Sequence, residues 1–143
     1  MEASVRSTSA AREAWQLFWR IFMEDKRRRW AILSELGISP QQSMALSTLK
    51  PGEPMPMSAL ADAMHADNSS ITGIVDRLET AGLAERRPDE RDRRVKAVIL
   101  TEKGEWLRVE IDRRAGEPPP RLARLTEEDA ATLRDILARA LDD

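Results

Sequence analysis

Residues 57–100 read MSALADAMHADNSSITGIVDRLETAGLAERRPDERDRRVKAVIL, and the hydrophobic period changes within them. A short helix is predicted over Met57 to Met64. A turn follows at His65, Ala66 and Asp67, where Asp67 or Asn68 supplies the oxygen that caps the next helix. In that helix Ile71, Ile74, Val75 and Leu78 recur at i, i+3, i+4 and i+7, which makes one apolar face. Gly82 ends it. The period then becomes alternating. Leu83 to Arg87 and Val95 to Leu100 read as two strands, the second rich in β-branched residues. The intervening Pro88-Asp89-Glu90-Arg91-Asp92-Arg93-Arg94 is too charged for a core, so it forms the tip of a hairpin.

Working outward, Ser39 caps a helix with Pro40 at its first position, and this helix runs through Met44, Leu46 and Leu49. It breaks at Lys50-Pro51-Gly52, and Pro51, Gly52, Pro54 and Pro56 read as a rigid loop. Upstream lies a long helix, Ala11 to Leu36, stopped by Gly37. Trp15, Leu17, Phe18, Trp19, Ile21, Phe22 and Met23 crowd it over more than one stripe, so it is buried on several sides or by a partner chain. Downstream, Thr101 caps a helix over Glu102 to Ala115, and Gly116 with Pro118-Pro119-Pro120 stops it. A last helix starts at the capping-box-like Thr126-x-x-Asp129 and presents Leu133, Ile136, Leu137, Ala140 and Leu141.

Composition narrows the function classes. The 143 residues fit one domain with helical extensions, and the hydrophobic share of 41% is enough for a core. No run approaches the length a membrane span needs, and Met1 to Ala11 lacks the apolar run of a signal peptide, so a soluble cytoplasmic protein without membrane contact is expected. Cysteine is absent, which excludes disulfides, thiol sensing and thiolate metal sites. One histidine, no phosphate-cradling glycine loop and no metal-ligand spacing argue against an enzyme, and neither metal nor cofactor is expected. The net charge of −2 counts mildly against a nucleic-acid partner. Its distribution matters more. Between Glu85 and Lys96 stand six basic and four acidic residues, while Glu127, Glu128, Asp129, Asp135, Asp142 and Asp143 gather near the C-terminus.

Two helices joined by a tight turn and followed by a hairpin make a winged helix-turn-helix. Opposite its apolar stripe, the second of these helices offers Asn68, Ser69, Ser70, Thr72, Gly73 and Arg77. Small polar side chains near a helix N-terminus let it enter a major groove without clashing. Its free N–H groups favour phosphate, and Arg77 has the reach for phosphate or for guanine O6 and N7. Arg91, Arg93 and Arg94 on a projecting tip suit a narrow minor groove, and Arg86 and Lys96 add charge at its base. Asp89 and Asp92 are expected to orient the neighbouring arginines and to fix the loop backbone.

The specific text of residues 58–107 resembles the MarR family of bacterial regulators. Asp89, Arg91, Asp92 and Arg94 fill the family's D-x-R-D-x-R wing signature, and Leu100-Thr-Glu-Lys-Gly104 matches its Leu-Thr-x-x-Gly motif. The resemblance implies a mainly α fold with a small β-hairpin wing. The winged helix-turn-helix would lie at residues 39–100, with dimerisation helices at 11–36 and 102–143, all within a single domain over 1–143. It further implies a homodimer on double-stranded DNA, at a pseudo-palindromic operator and usually as a repressor, released by a small aromatic or anionic effector. Two features depart from the family: Glu90 where many members carry proline, and the abrupt break at Pro118 to Pro120.

For an effector cleft the aromatic candidates are Trp15, Trp19, Phe22 and Trp30, with Met44 behind them. The same residues serve equally as core or dimer packing. Arg20 and Arg27 read first as solvated charges, and His65 as a turn residue. The competing reading is a winged helix used only for protein interaction, which has no need of the full arginine signature.

Overall fold

The computed structural model describes residues 8–142. Asp143 and most of the Met1 to Ala11 stretch lie outside the described residues. The elements run α1 (Ser9–Glu35), α2 (Pro40–Thr48), β1 (Met55–Pro56), α3 (Met57–Ala63), α4 (Asn68–Thr80), β2 (Ala84–Pro88), β3 (Lys96–Leu100), α5 (Glu102–Ala115) and α6 (Glu127–Leu141). The fold is predominantly helical with a small antiparallel wing, as expected. No helix among the described residues is long and apolar enough to cross a membrane.

The chain divides into two compact units, one of residues 29–116 and one of residues 1–28 with 117–143. The first holds a single apolar core. Leu46, Leu49, Leu60, Ile71, Val75, Leu78, Leu83 and Val98 are almost wholly buried in it. All four members of the predicted α4 stripe belong to this core. The unit extends past the 39–100 boundary read from the sequence, because Leu33 and Ile38 at one end and Leu107, Ile111 and Ala115 at the other join the same cluster. At the head of α2, Ser39 and Gln42 form a reciprocal capping box, with Ser39 Oγ accepting from the Gln42 N–H at 3.1 Å and Gln42 Oε1 from the Ser39 N–H at 2.8 Å.

The sheet has three strands in the order β1-β3-β2, all antiparallel. β2 and β3 pair from Ala84 opposite Leu100 to Pro88 opposite Lys96. The third strand corrects the sequence reading of residues 51–56 as loop throughout. Met55 and Pro56 pair with Val98 and Ala97. Two residues show no alternation, and proline is tolerated on an edge strand, so the pairing leaves no local signal.

The start of α5 is fastened to the end of α4. Gly82, at φ +71°, closes α4 in a left-handed conformation, with the Leu83 N–H donating to the Leu78 carbonyl at 2.8 Å and the Gly82 N–H to that of Glu79 at 2.9 Å. Thr101 then caps α5, its Oγ accepting from the Gly104 N–H at 3.1 Å and its hydroxyl donating to the Gly82 carbonyl at 2.6 Å. Lys103 Nζ donates to the Ala81 carbonyl at 2.9 Å. A Cβ at Gly104 would stand 1.9 Å from the Leu83 carbonyl oxygen, so this approach requires glycine.

In the second unit α6 begins at Thr126, whose Oγ accepts from the Asp129 N–H at 3.1 Å. α6 buries none of its residues. On the α1 segment Trp15, Phe18, Trp19 and Phe22 line one face at i, i+3, i+4 and i+7, with neighbouring rings 5.6–6.5 Å apart. All four are exposed, as are Leu17, Met23, Ile136, Leu137 and Leu141. Asp25 is buried and accepts from Arg28 Nε at 2.7 Å, while Arg28 Nη2 donates to the Glu117 carbonyl at 3.1 Å.

Candidate nucleic-acid interface

The apolar stripe of α4 anchors it in the core, so its opposite face is turned outward by default. Asn68, Ser69, Ser70, Thr72 and Arg77 are exposed there, and Gly73 is half-buried. The cap is Asp67. Its Oδ1 accepts from the Ser70 N–H at 2.7 Å and from the Ser69 hydroxyl at 2.8 Å. Those two hydrogen bonds hold the Asp67 carboxyl below the usual carboxylate range. Thr72 donates its hydroxyl to the Asn68 carbonyl at 2.8 Å. Arg77 folds back along the helix, with Nη2 3.6 Å from where a Cβ at Gly73 would stand.

The wing tip is organised by its two aspartates. Asp89 Oδ1 accepts from the N–H groups of Arg91 (2.8 Å) and Asp92 (3.2 Å). The Asp89 N–H donates to the Val95 carbonyl at 2.8 Å, which closes the loop. Asp92 accepts from the Arg94 N–H and Nε, both at 3.1 Å. Arg94, through its side chain and then its backbone, holds the Asp92 carboxyl below the usual range. The Arg94 side chain is nonetheless 91% exposed, so pairing fixes its direction without hiding it. Arg91, Arg93 and Lys96 are exposed too, and form no ion pair among the described residues.

Arg86 differs from this group in being held by two carboxylates of α4. Its sequence position groups it with the DNA-binding candidates, and its guanidinium lies against α4. Nη2 donates to Asp76 Oδ1 at 2.6 Å and to the Thr72 carbonyl at 3.2 Å, and Nη1 pairs with Glu79. The Arg86 N–H also donates to Glu79 Oε2 at 3.3 Å. Partial burial pulls the Arg86 pKa down, but the two carboxylates outweigh it and raise it. Asp76 and Glu79, the carboxylates that hold Arg86, are not singled out by the sequence reading. Their one signal was two acids on the side of α4 away from its apolar stripe, indistinguishable from a solvated face.

The five effector candidates divide between the two units. Trp15, Trp19 and Phe22 are brought together on α1 in one unit, whereas Trp30 and Met44 belong to the other. All five are exposed in the single chain. A cleft of about 290 Å³ in the unit of residues 1–28 with 117–143 is bordered by Ile21, Asp25, Arg28, Pro119 and Arg121, with none of the five at its wall. No group of three or more His, Asp or Glu placed to hold a metal occurs among the described residues.

An amphipathic helix set beside a charged, internally braced hairpin defines the winged helix-turn-helix class. The MarR family model matches residues 38–96. Over 113 residues the chain is 33% identical to the HTH-type transcriptional regulator PecS of Dickeya dadantii (strain 3937), covering 76% of this chain and 68% of PecS. It is 33% identical over 95 residues to the HTH-type transcriptional regulator YfiV of Bacillus subtilis (strain 168), covering 66% of this chain but only 59% of that relative's length. The structure of a MarR family protein from Bacillus stearothermophilus superposes with a TM-score of 0.79 at 28% identity, covering 92% of each chain. The chain belongs to the MarR family.

Proposed function

We propose that this chain is a sequence-specific DNA-binding transcriptional repressor that acts as a homodimer on a pseudo-palindromic operator. The observation that carries the reading is the pairing of an exposed, small-residue polar face on α4 with an arginine wing whose backbone is locked by Asp89 and Asp92. α4 enters a major groove with Asn68, Ser69, Ser70, Thr72, Gly73 and Arg77, and the wing delivers Arg91, Arg93 and Arg94 to the adjacent minor groove, with Lys96 at its base. A locked loop lowers the entropy lost on binding. Homodimerisation is supported by the exposed aromatic row of α1 and the apolar residues of α6, which a single chain leaves in water. A small aromatic or anionic effector that weakens DNA binding is proposed to dock on the aromatic row of Trp15, Trp19 and Phe22.

The test is fluorescence anisotropy on duplex DNA from upstream of the protein's own gene, against a scrambled duplex, across a salt series. Tight binding that prefers the upstream duplex and falls steeply with salt supports the reading. Equal and weak binding to both, insensitive to salt, makes the fold a protein-interaction module instead. Titrating benzoate into the complex then tests the effector, and release without protein unfolding is the expected result.

A further inference from the structure

We propose that Arg86 is a positioning residue that locks the wing to the recognition helix, so that both reach their grooves together. This rests on the DNA-binding reading above.

One β2 residue holds three positions of α4 that span two helical turns: the Thr72 carbonyl, the Asp76 carboxylate and the Glu79 carboxylate. Glu79 takes both the guanidinium and the N–H of Arg86, so side chain and strand backbone are fixed at once. The guanidinium side chain is 22% exposed, against 91% for Arg94 on the same hairpin. Both terminal nitrogens of Arg86 are therefore engaged with α4. In the sheet β1 pairs with β3 at Met55 and Pro56, and among the described residues no strand lies beyond β2. The ion-paired cluster adds a restraint on the β2 side further toward the tip than the buried Ala84. A planar, five-donor guanidinium suits three divergent acceptors, whereas a lysine ammonium does not.

The role separates cleanly from direct contact. In the full-length protein, Arg86→Gln weakens specific duplex binding about tenfold, the scale of coupling within one ion-pair network. Arg86→Lys does the same, because charge alone cannot bridge the three acceptors. Glu79→Gln also weakens binding. If Arg86 instead touched DNA, freeing it from Glu79 would strengthen binding and Lys would rescue, and either result overturns the proposal. In a variant with Arg91, Arg93 and Arg94 all replaced by alanine, measured at low salt, Arg86→Gln has no further effect; a full additional loss overturns the proposal. Hydrogen exchange without DNA judges the lock by itself. Arg86→Gln speeds exchange across residues 84–100 while the amides of α2 and α5 are unchanged. Unaltered exchange in the wing overturns the lock even if duplex binding is confirmed, and faster exchange supports it even if the wild type binds no duplex.

Discussion

Gly104 lies so close to the Leu83 carbonyl that a Cβ built on it falls 1.9 Å from the oxygen. The contact sets the first turn of α5 directly on the turn that ends α4, and the Thr101 hydroxyl secures it at Gly82. The Leu-Thr-x-x-Gly motif is thereby a docking device: threonine bonds both ways and glycine lets the backbones meet.

Gly104→Ala tests that contact. In an open helix alanine would stabilise by about 1 kcal/mol over glycine. Here the clash is with backbone, and the expected result is a loss of about 1–3 kcal/mol, as for other overpacked sites. Urea unfolding measures it, and an unchanged or higher midpoint would show that α5 is free to shift.

The α4 cap makes stability depend on acid. The Ser70 N–H and the Ser69 hydroxyl depress the Asp67 pKa in the folded chain, so the unfolded chain takes up the proton more readily. The cap's contribution is therefore complete above the usual carboxylate range and is lost as pH falls through the lower, folded value. Asp67→Asn, which still caps but does not titrate, is expected to flatten that part of the Tm-versus-pH curve. A curve identical to the wild type's would assign the acid sensitivity to other carboxylates.

At the wing, Arg94→Ala is expected to weaken operator binding by about 1–3 kcal/mol, the range for a specific groove contact. Unchanged affinity for the upstream duplex would remove this arginine from recognition.

Phe18 stacks between Trp15 and Phe22 on α1, 5.7 Å from one ring and 6.5 Å from the other. Placing a charge there, Phe18→Glu, is expected to shift sedimentation from dimer toward monomer. A fully dimeric, folded variant would mean that the aromatic row is not the subunit interface.

The sequence by itself determined whatever depends on residues close along the chain. The four-residue apolar stripe of α4, the Thr101 cap and the strand pair around a charged tip are periodic or local, so residues 57–100 spelled out the winged helix-turn-helix. The tip aspartates were legible for the same reason, since Asp89 and Asp92 bond within three residues of themselves. Tertiary structure alone decided the rest. β1 exists because Met55 and Pro56 meet β3 more than forty residues later, and Gly104 is needed because α5 returns to Leu83. Arg86 reads in the sequence as one more basic residue of the wing. Only the reversal of the chain at Gly82 lays β2 back along α4, where Thr72, Asp76 and Glu79 converge on its guanidinium. Charge counts along a chain carry no direction, and direction is what separates a group aimed at a partner from one that holds the protein's own shape.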